Sequence, residues 1–177
     1  MSTGPAPRPD EGTRAAAVLR PVQLLSAAVG MGALMLTAVR VAVDPSAAMP
    51  SAASVAVVLL ALLVAALLIR RTAYAVPALP PGLPRENAVA TSLRVFTSTT
   101  TVCTALAEAP VLVAFAVSLA LEPQSWLPLL LALPGALALF WLHGWPSART
   151  AARVEAALEA GGARSHLSET LGFGSRP

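Results

Sequence analysis

Lysine is absent from this chain and cysteine nearly so: all twelve basic residues are arginines, and Cys103 is the single thiol. One cysteine forms neither an internal disulfide nor a cysteine-based metal cluster. The two histidines, His143 and His166, stand far apart without neighbouring ligands. They read as an interfacial residue and a tail residue, so we expect no metal and no cofactor. Charge is scarce as well. Charged residues make up 12% of the 177, against about 25% in soluble domains. A surface in water could not be covered this way, whereas a surface facing lipid can.

Recognisable catalytic patterns are missing too. There is no nucleophile elbow, no phosphate loop and no pair of carboxylates within reach of each other. The hydroxyl-rich stretch Thr97–Thr104 has no nearby base to activate a nucleophile. A non-enzymatic protein is expected. The arginines nowhere form a basic face with interleaved aromatics, so a nucleic-acid partner is not expected either. Arginine without lysine, beside abundant Ala, Pro and Gly, suggests GC-rich codons and a bacterial source.

What the chain has in excess is apolar residues, 56% of the total, gathered in four runs. They cover about 18–43, 52–69, 95–121 and 126–142. Each is close to the ~20 residues that cross a ~30 Å hydrocarbon core. The expected architecture is all-α, a four-helix transmembrane bundle of two hairpins. We expect a disordered arm over 1–15, a membrane domain over 16–145 and a tail over 146–177. Small residues, Ser46 to Ala48, follow the first run, but that run is longer than a signal-peptide core and holds Arg40, so a retained span is expected.

Eleven of the twelve arginines fall on one side of the four-span arrangement, Arg40 being the exception. The positive-inside bias makes that side cytoplasmic and places both termini there. Trp126, Trp141, Trp145 and Tyr74 flank the runs at headgroup depth. The expected location is the cell (plasma) membrane, with lipid as the first partner and other membrane subunits or a homo-oligomer as further ones. The segment Pro77–Asn87 has four prolines and reads as extended. After Pro146, Ser147 can cap a helix over about 147–160, stopped by Gly161 and Gly162. Its weak apolar face suggests a helix lying against the inner membrane surface.

The chemically pointed residue is Glu108. Arg94 precedes it by fourteen residues and Glu122 follows it by fourteen, so it lies about 21 Å from either bookend. A charge at that depth costs at least about 2.5–3.5 kcal/mol, so a neutral carboxyl facing protein or water is expected. Thr97, Thr101 and Thr104 share its helical face, and Pro110 opens the backbone ladder by offering no donor to Leu106. Together these groups could coordinate a cation or pass a proton. The same atoms could equally form an inert hydrogen-bonded joint between helices, the reading we favour. On span one, Ser26, Gly30, Ala33 and Thr37 form a small-residue face suited to close helix packing, expected against span three. Arg40 lies about 12 Å from the midplane, closer in depth to Asp44 or Glu122 than to Glu108. It is expected to make an outer-interface pair or to snorkel.

The run Ala105–Leu106–Ala107–Glu108–Ala109, rising from a cytoplasmic loop, resembles the ion-carrying helix of the c subunit of rotary ATP synthases. The resemblance implies an ion-binding role for Glu108 and nothing more. It stops outside this stretch: the preceding loop is long and proline-rich, and Ala52–Ile69 has no glycine, where that family has a short polar loop and a glycine-rich helix.

Overall fold

In the computed structural model the described residues are 11–45, 47–121 and 123–174, with side chains from Ala17 onward. They form six helices: α1 (Glu11–Val43), α2 (Ala52–Leu68), α3 (Arg85–Ala120), α4 (Leu127–Leu139), α5 (Ala148–Leu158) and α6 (Leu167–Thr170). No strand occurs among the described residues. Four segments are long and apolar enough to cross a membrane: Ala17–Val43, Ala52–Ala73, Arg85–Ala120 and Leu127–Gly144. The chain is therefore an all-α, multi-pass membrane protein.

Two boundaries differ from the sequence expectation. Helix α1 begins at Glu11, so residues 11–15 are helical rather than disordered; 1–10 lie outside the described residues. Helix α3 begins at Arg85, ten residues before the expected Val95. Pro84 sits at its N-cap, where the missing amide costs nothing, and Glu86 in the first turn complements the helix N-terminus. The extended proline stretch thus ends at Pro84. At 36 residues α3 is about 54 Å long, well beyond a ~30 Å hydrocarbon core. Its first turns project past the bilayer.

Helix α3 is the central element. Helices α1, α2 and α4 all pack on it, and α2 also packs on α4. Helices α1 and α2, though joined by a short loop, lean on α3 rather than on each other. The membrane core is built of small and mid-sized side chains, among them Ala33, Val58, Val111, Ala114, Leu129 and Ala132. Lipid tails are as apolar as leucine, so van der Waals fit between helices, not expulsion from water, holds this layer together. Large residues point outward instead, as at Leu25, Met35, Leu60, Leu63 and Leu130.

Beyond the bilayer the projecting turns of α3 seed a second core. Leu79, Ala88, Phe96, Val154, Leu158 and Leu167 are buried together there. A reciprocal cap starts α5: the Thr150 amide donates to Ser147 Oγ at 3.4 Å, and the Ser147 amide donates to Thr150 Oγ1 at 2.9 Å. The Leu79 amide donates to the Leu158 carbonyl at 2.8 Å, fastening the proline loop to the end of α5. The apolar face of α5 is consumed by this packing. The face that the sequence pattern assigned to the membrane surface meets protein, because α3 extends beyond its apolar run and offers it a surface.

Candidate functional site

Glu108 lies near the middle of α3, and Pro110 two residues later is buried within the continuous helix. A Cβ placed on Gly32 would stand 3.8 Å from Glu108 Oε1, so the carboxyl points to the edge of α1 where no side chain blocks it. Beside it, between α1, α3 and α4, is a cavity of about 20 Å³ bounded by Gly30, Ala33, Thr104, Val111 and Phe140. That is room for one water. Glu108 is half-buried, and its carboxyl makes no hydrogen bond or ion pair with any described residue.

The threonines do not form a chain of hydroxyls leading to it. Thr97 Oγ1 donates to the Leu93 carbonyl at 3.0 Å and Thr101 Oγ1 to the Thr97 carbonyl at 2.9 Å, each bonding back to its own helix. Thr101 is exposed on the outer face of α3. Only Thr104 turns inward, and it serves a different joint. Its Oγ1 donates to the Gly144 carbonyl at 3.2 Å, and Ser26 Oγ donates to the same carbonyl at 3.4 Å. The two hydroxyls stand 3.5 Å apart. This joint ties α1, α3 and the end of the fourth span, and it leaves Glu108 out.

The cause is the end of the fourth span. After α4 the chain continues over Phe140–Gly144 in a five-residue π-type turn, where the Trp145 amide bonds the Phe140 carbonyl at 2.8 Å. The helix stops at Gly144, which leaves its carbonyl for side-chain donors. The position is also tight, because an added Cβ would sit 3.2 Å from Thr104 Cα. No sequence signal marks a free carbonyl, so Gly144 was not legible as a site residue.

On α1, Ser26 and Ala33 are buried, whereas Thr37 is half-buried and donates to its own Ala33 carbonyl at 2.9 Å. Gly30 faces Phe140 of the wide turn, 3.6 Å from where its Cβ would be. The glycine therefore accommodates the fourth span rather than the expected third. Val22, Ser26, Ala33 and Arg40 make up the buried stripe of α1, with four- and seven-residue spacings.

Arg40 is 4% exposed and turns inward. It does not snorkel. Its Nε donates to Ser118 Oγ at 3.3 Å, its Nη2 to the Ser118 carbonyl at 3.2 Å and to Asp44 Oδ2 at 3.3 Å. Nη1 reaches Asp44 Oδ2 at 3.3 Å as well. Glu122 lies outside the described residues. Ser118 is the residue that sequence reasoning missed; matching its depth near the C-terminal end of α3 to that of Arg40 would have found it.

A third polar cluster closes the opposite end. His143 Nδ1 lies 3.1 Å from Tyr74 Oη and 3.0 Å from Arg153 Nη1, and the Arg153 guanidinium stands 5.7 Å from the Tyr74 ring centroid. Arginine has no acceptor, so Nδ1 accepts and the ring proton sits on Nε2. Burial pushes the Tyr74 hydroxyl above the ordinary phenol range, so it stays protonated beside the ring nitrogen that Arg153 occupies. No cluster of three or more His, Cys, Asp or Glu residues placed to hold a metal occurs among the described residues.

No protein-family model matches the chain, and neither does any curated protein or solved structure. The likeness to rotary-synthase c subunits therefore rests on the short stretch around Glu108 alone.

Proposed function

We propose that this protein is a non-enzymatic, structural or accessory subunit of a larger membrane assembly, docked through the Glu108 edge of α3 onto a helix of another membrane subunit. One contrast carries the reading. Every buried side-chain polar atom among the described residues has a hydrogen-bond partner, whereas Glu108, half-buried at mid-span, has none within the chain. Leaving a neutral carboxyl unbonded in hydrocarbon costs on the order of 1–3 kcal/mol. A polar group on a neighbouring helix removes that cost. Gly32 beside it keeps the approach open. The joint formed by Glu108 is then between subunits rather than within this bundle.

The reading includes a plasma-membrane location with both termini cytoplasmic, following the arginine distribution. Cysteines placed at Ala47 and Gln124 are then labelled by an impermeant thiol reagent added outside intact cells, and one at Asn87 is not. Labelling at Asn87 from outside sinks that orientation.

The role of Glu108 is tested by native electrophoresis of tagged protein extracted in mild detergent. Wild type and Glu108→Gln are expected in a complex larger than the chain itself, and Glu108→Leu outside it. A second reading, proton or cation translocation through Glu108 with Thr97, Thr101 and Thr104, draws on the water-sized cavity at the carboxyl. It predicts that Glu108→Gln assembles normally but abolishes ion flux in liposomes. The back-bonding of Thr97 and Thr101 favours the first reading, because it removes two relay groups.

A further inference from the structure

The bilayer end where the second and fourth spans finish gathers positive charge that the chain itself does not neutralise. Arg153 is held there by neutral groups only: the Leu142 carbonyl at 3.4 Å from Nη1, His143 Nδ1 at 3.0 Å, and the face of Tyr74. These contacts aim the guanidinium and leave its charge uncompensated. Arg70 stands on the wide turn Ile69–Ala73 that ends the second span, exposed and within electrostatic reach of His143. Arg70 and Arg153 make no ion pair with any described residue. Three carboxylates on this side are engaged elsewhere: Glu155 accepts from Ser168, Glu159 from Ser165, and Glu169 from Arg85 and His166. Glu86 stands in the first turn of α3 and pairs with neither arginine.

At this end of the spans the surface changes character with depth. Trp141 is 66% exposed and stacks on Trp145, with ring centroids 5.9 Å apart and planes 15° apart. Indoles favour the headgroup region. Immediately deeper on the second span, Leu67 and Leu68 face outward as apolar surface. The indoles mark this end as headgroup depth, and unpaired guanidiniums next to an apolar wall match phosphate and acyl chain.

We propose that the rim formed by Arg70 and Arg153 binds an anionic phospholipid. Arginine suits the phosphate because its planar fork can donate two bonds to one oxyanion. Positively charged recesses between spans are a general means of holding such headgroups. A free phosphate would use the guanidiniums alone; the lipid also uses the apolar surface, and the proposal commits to the lipid. It rests on the membrane-spanning reading only, not on Glu108 or the assembly: a protein that runs as a monomer but responds to anionic lipid removes the assembly and leaves this site standing.

The experiment measures the thermal midpoint of the full chain in nanodiscs of phosphatidylcholine, then in an equal mixture with phosphatidylglycerol. Wild type is expected to gain several degrees in the mixture. Arg70→Gln is expected to match wild type in pure phosphatidylcholine, since Arg70 bonds no described residue, and to lose most of the gain. Arg153→Gln starts lower, having lost its contacts to Tyr74 and His143, and also loses the gain. Arg164→Gln, an equal charge loss in the tail, keeps it. Inorganic phosphate added to detergent-solubilised wild type gives no shift. A full gain in Arg70→Gln, an equal loss in Arg164→Gln, or the same shift from phosphate alone overturns the proposal.

Discussion

Arg40 and Glu108 are both ionisable groups set inside membrane spans, and α3 treats them in opposite ways. The guanidinium finds two acceptors on Ser118 and two on Asp44 and is almost wholly covered. The carboxyl, close to mid-span, finds a glycine, a cavity and no donor. The comparison extends to the Ser26–Thr104–Gly144 joint, whose hydroxyls share a carbonyl left free at the end of the fourth span. Polar groups that the fold needs are bonded within the fold. A polar group left unbonded at a hydrophobic depth is expensive unless something outside the chain meets it. That difference separates the structural polar residues of this bundle from its functional candidate.

The sharpest way to break the comparison is at the most crowded bonded joint. Gly144→Leu must push Thr104 aside and force α3 from the fourth span. A loss of about 3 kcal/mol or more is expected, seen as a large drop in thermal midpoint in detergent. A midpoint close to wild type would mean that the joint does not hold the helices.

The next contrast sets the two ionisable groups side by side. Ser118→Ala removes the acceptor of Arg40 Nε and should cost about 1–2 kcal/mol. In the isolated chain Glu108→Gln should change stability by less than about 0.5 kcal/mol, because no bond is lost. Chemical unfolding of both variants in the same detergent checks the pair, and a larger cost at Glu108 than at Ser118 would reverse the assignment of roles.

The smallest effect lies outside the membrane. Hydrogen bonding from His166, then the nearby Arg85 charge, holds the Glu169 carboxyl below its ordinary range. Its folded value is lowered, so the stability it contributes is present above the unfolded value of about 4.3 and fades as pH falls through the folded one. Wild type should therefore exceed Glu169→Gln slightly at neutral pH, with the gap closing in acid. Parallel melts at pH 7 and pH 3.5 read it; a gap that widens in acid contradicts the sign. The pair is exposed, so salt should shrink the difference at neutral pH.

Much of this was legible in one dimension. Apolar runs near 20 residues announce spans, because the bilayer imposes a length and leaves no alternative for the backbone. The depth of Glu108 followed from counting residues at a fixed helical rise. The tail helix followed from Ser147 before it and Gly161 and Gly162 after it. These are local properties, and the sequence by itself determined them.

Tertiary structure alone decided which group meets which. Thr97, Thr101 and Thr104 share a helical face, yet only the third finds another helix, since the neighbours of α3 change along its length. Gly30 could have received any of the other spans and receives Phe140. The α5 face could have met lipid and meets the overshoot of α3. A period gives the direction of a side chain about its own axis; the identity of what stands there depends on how several helices, two of them widened at their ends, are arranged together in space.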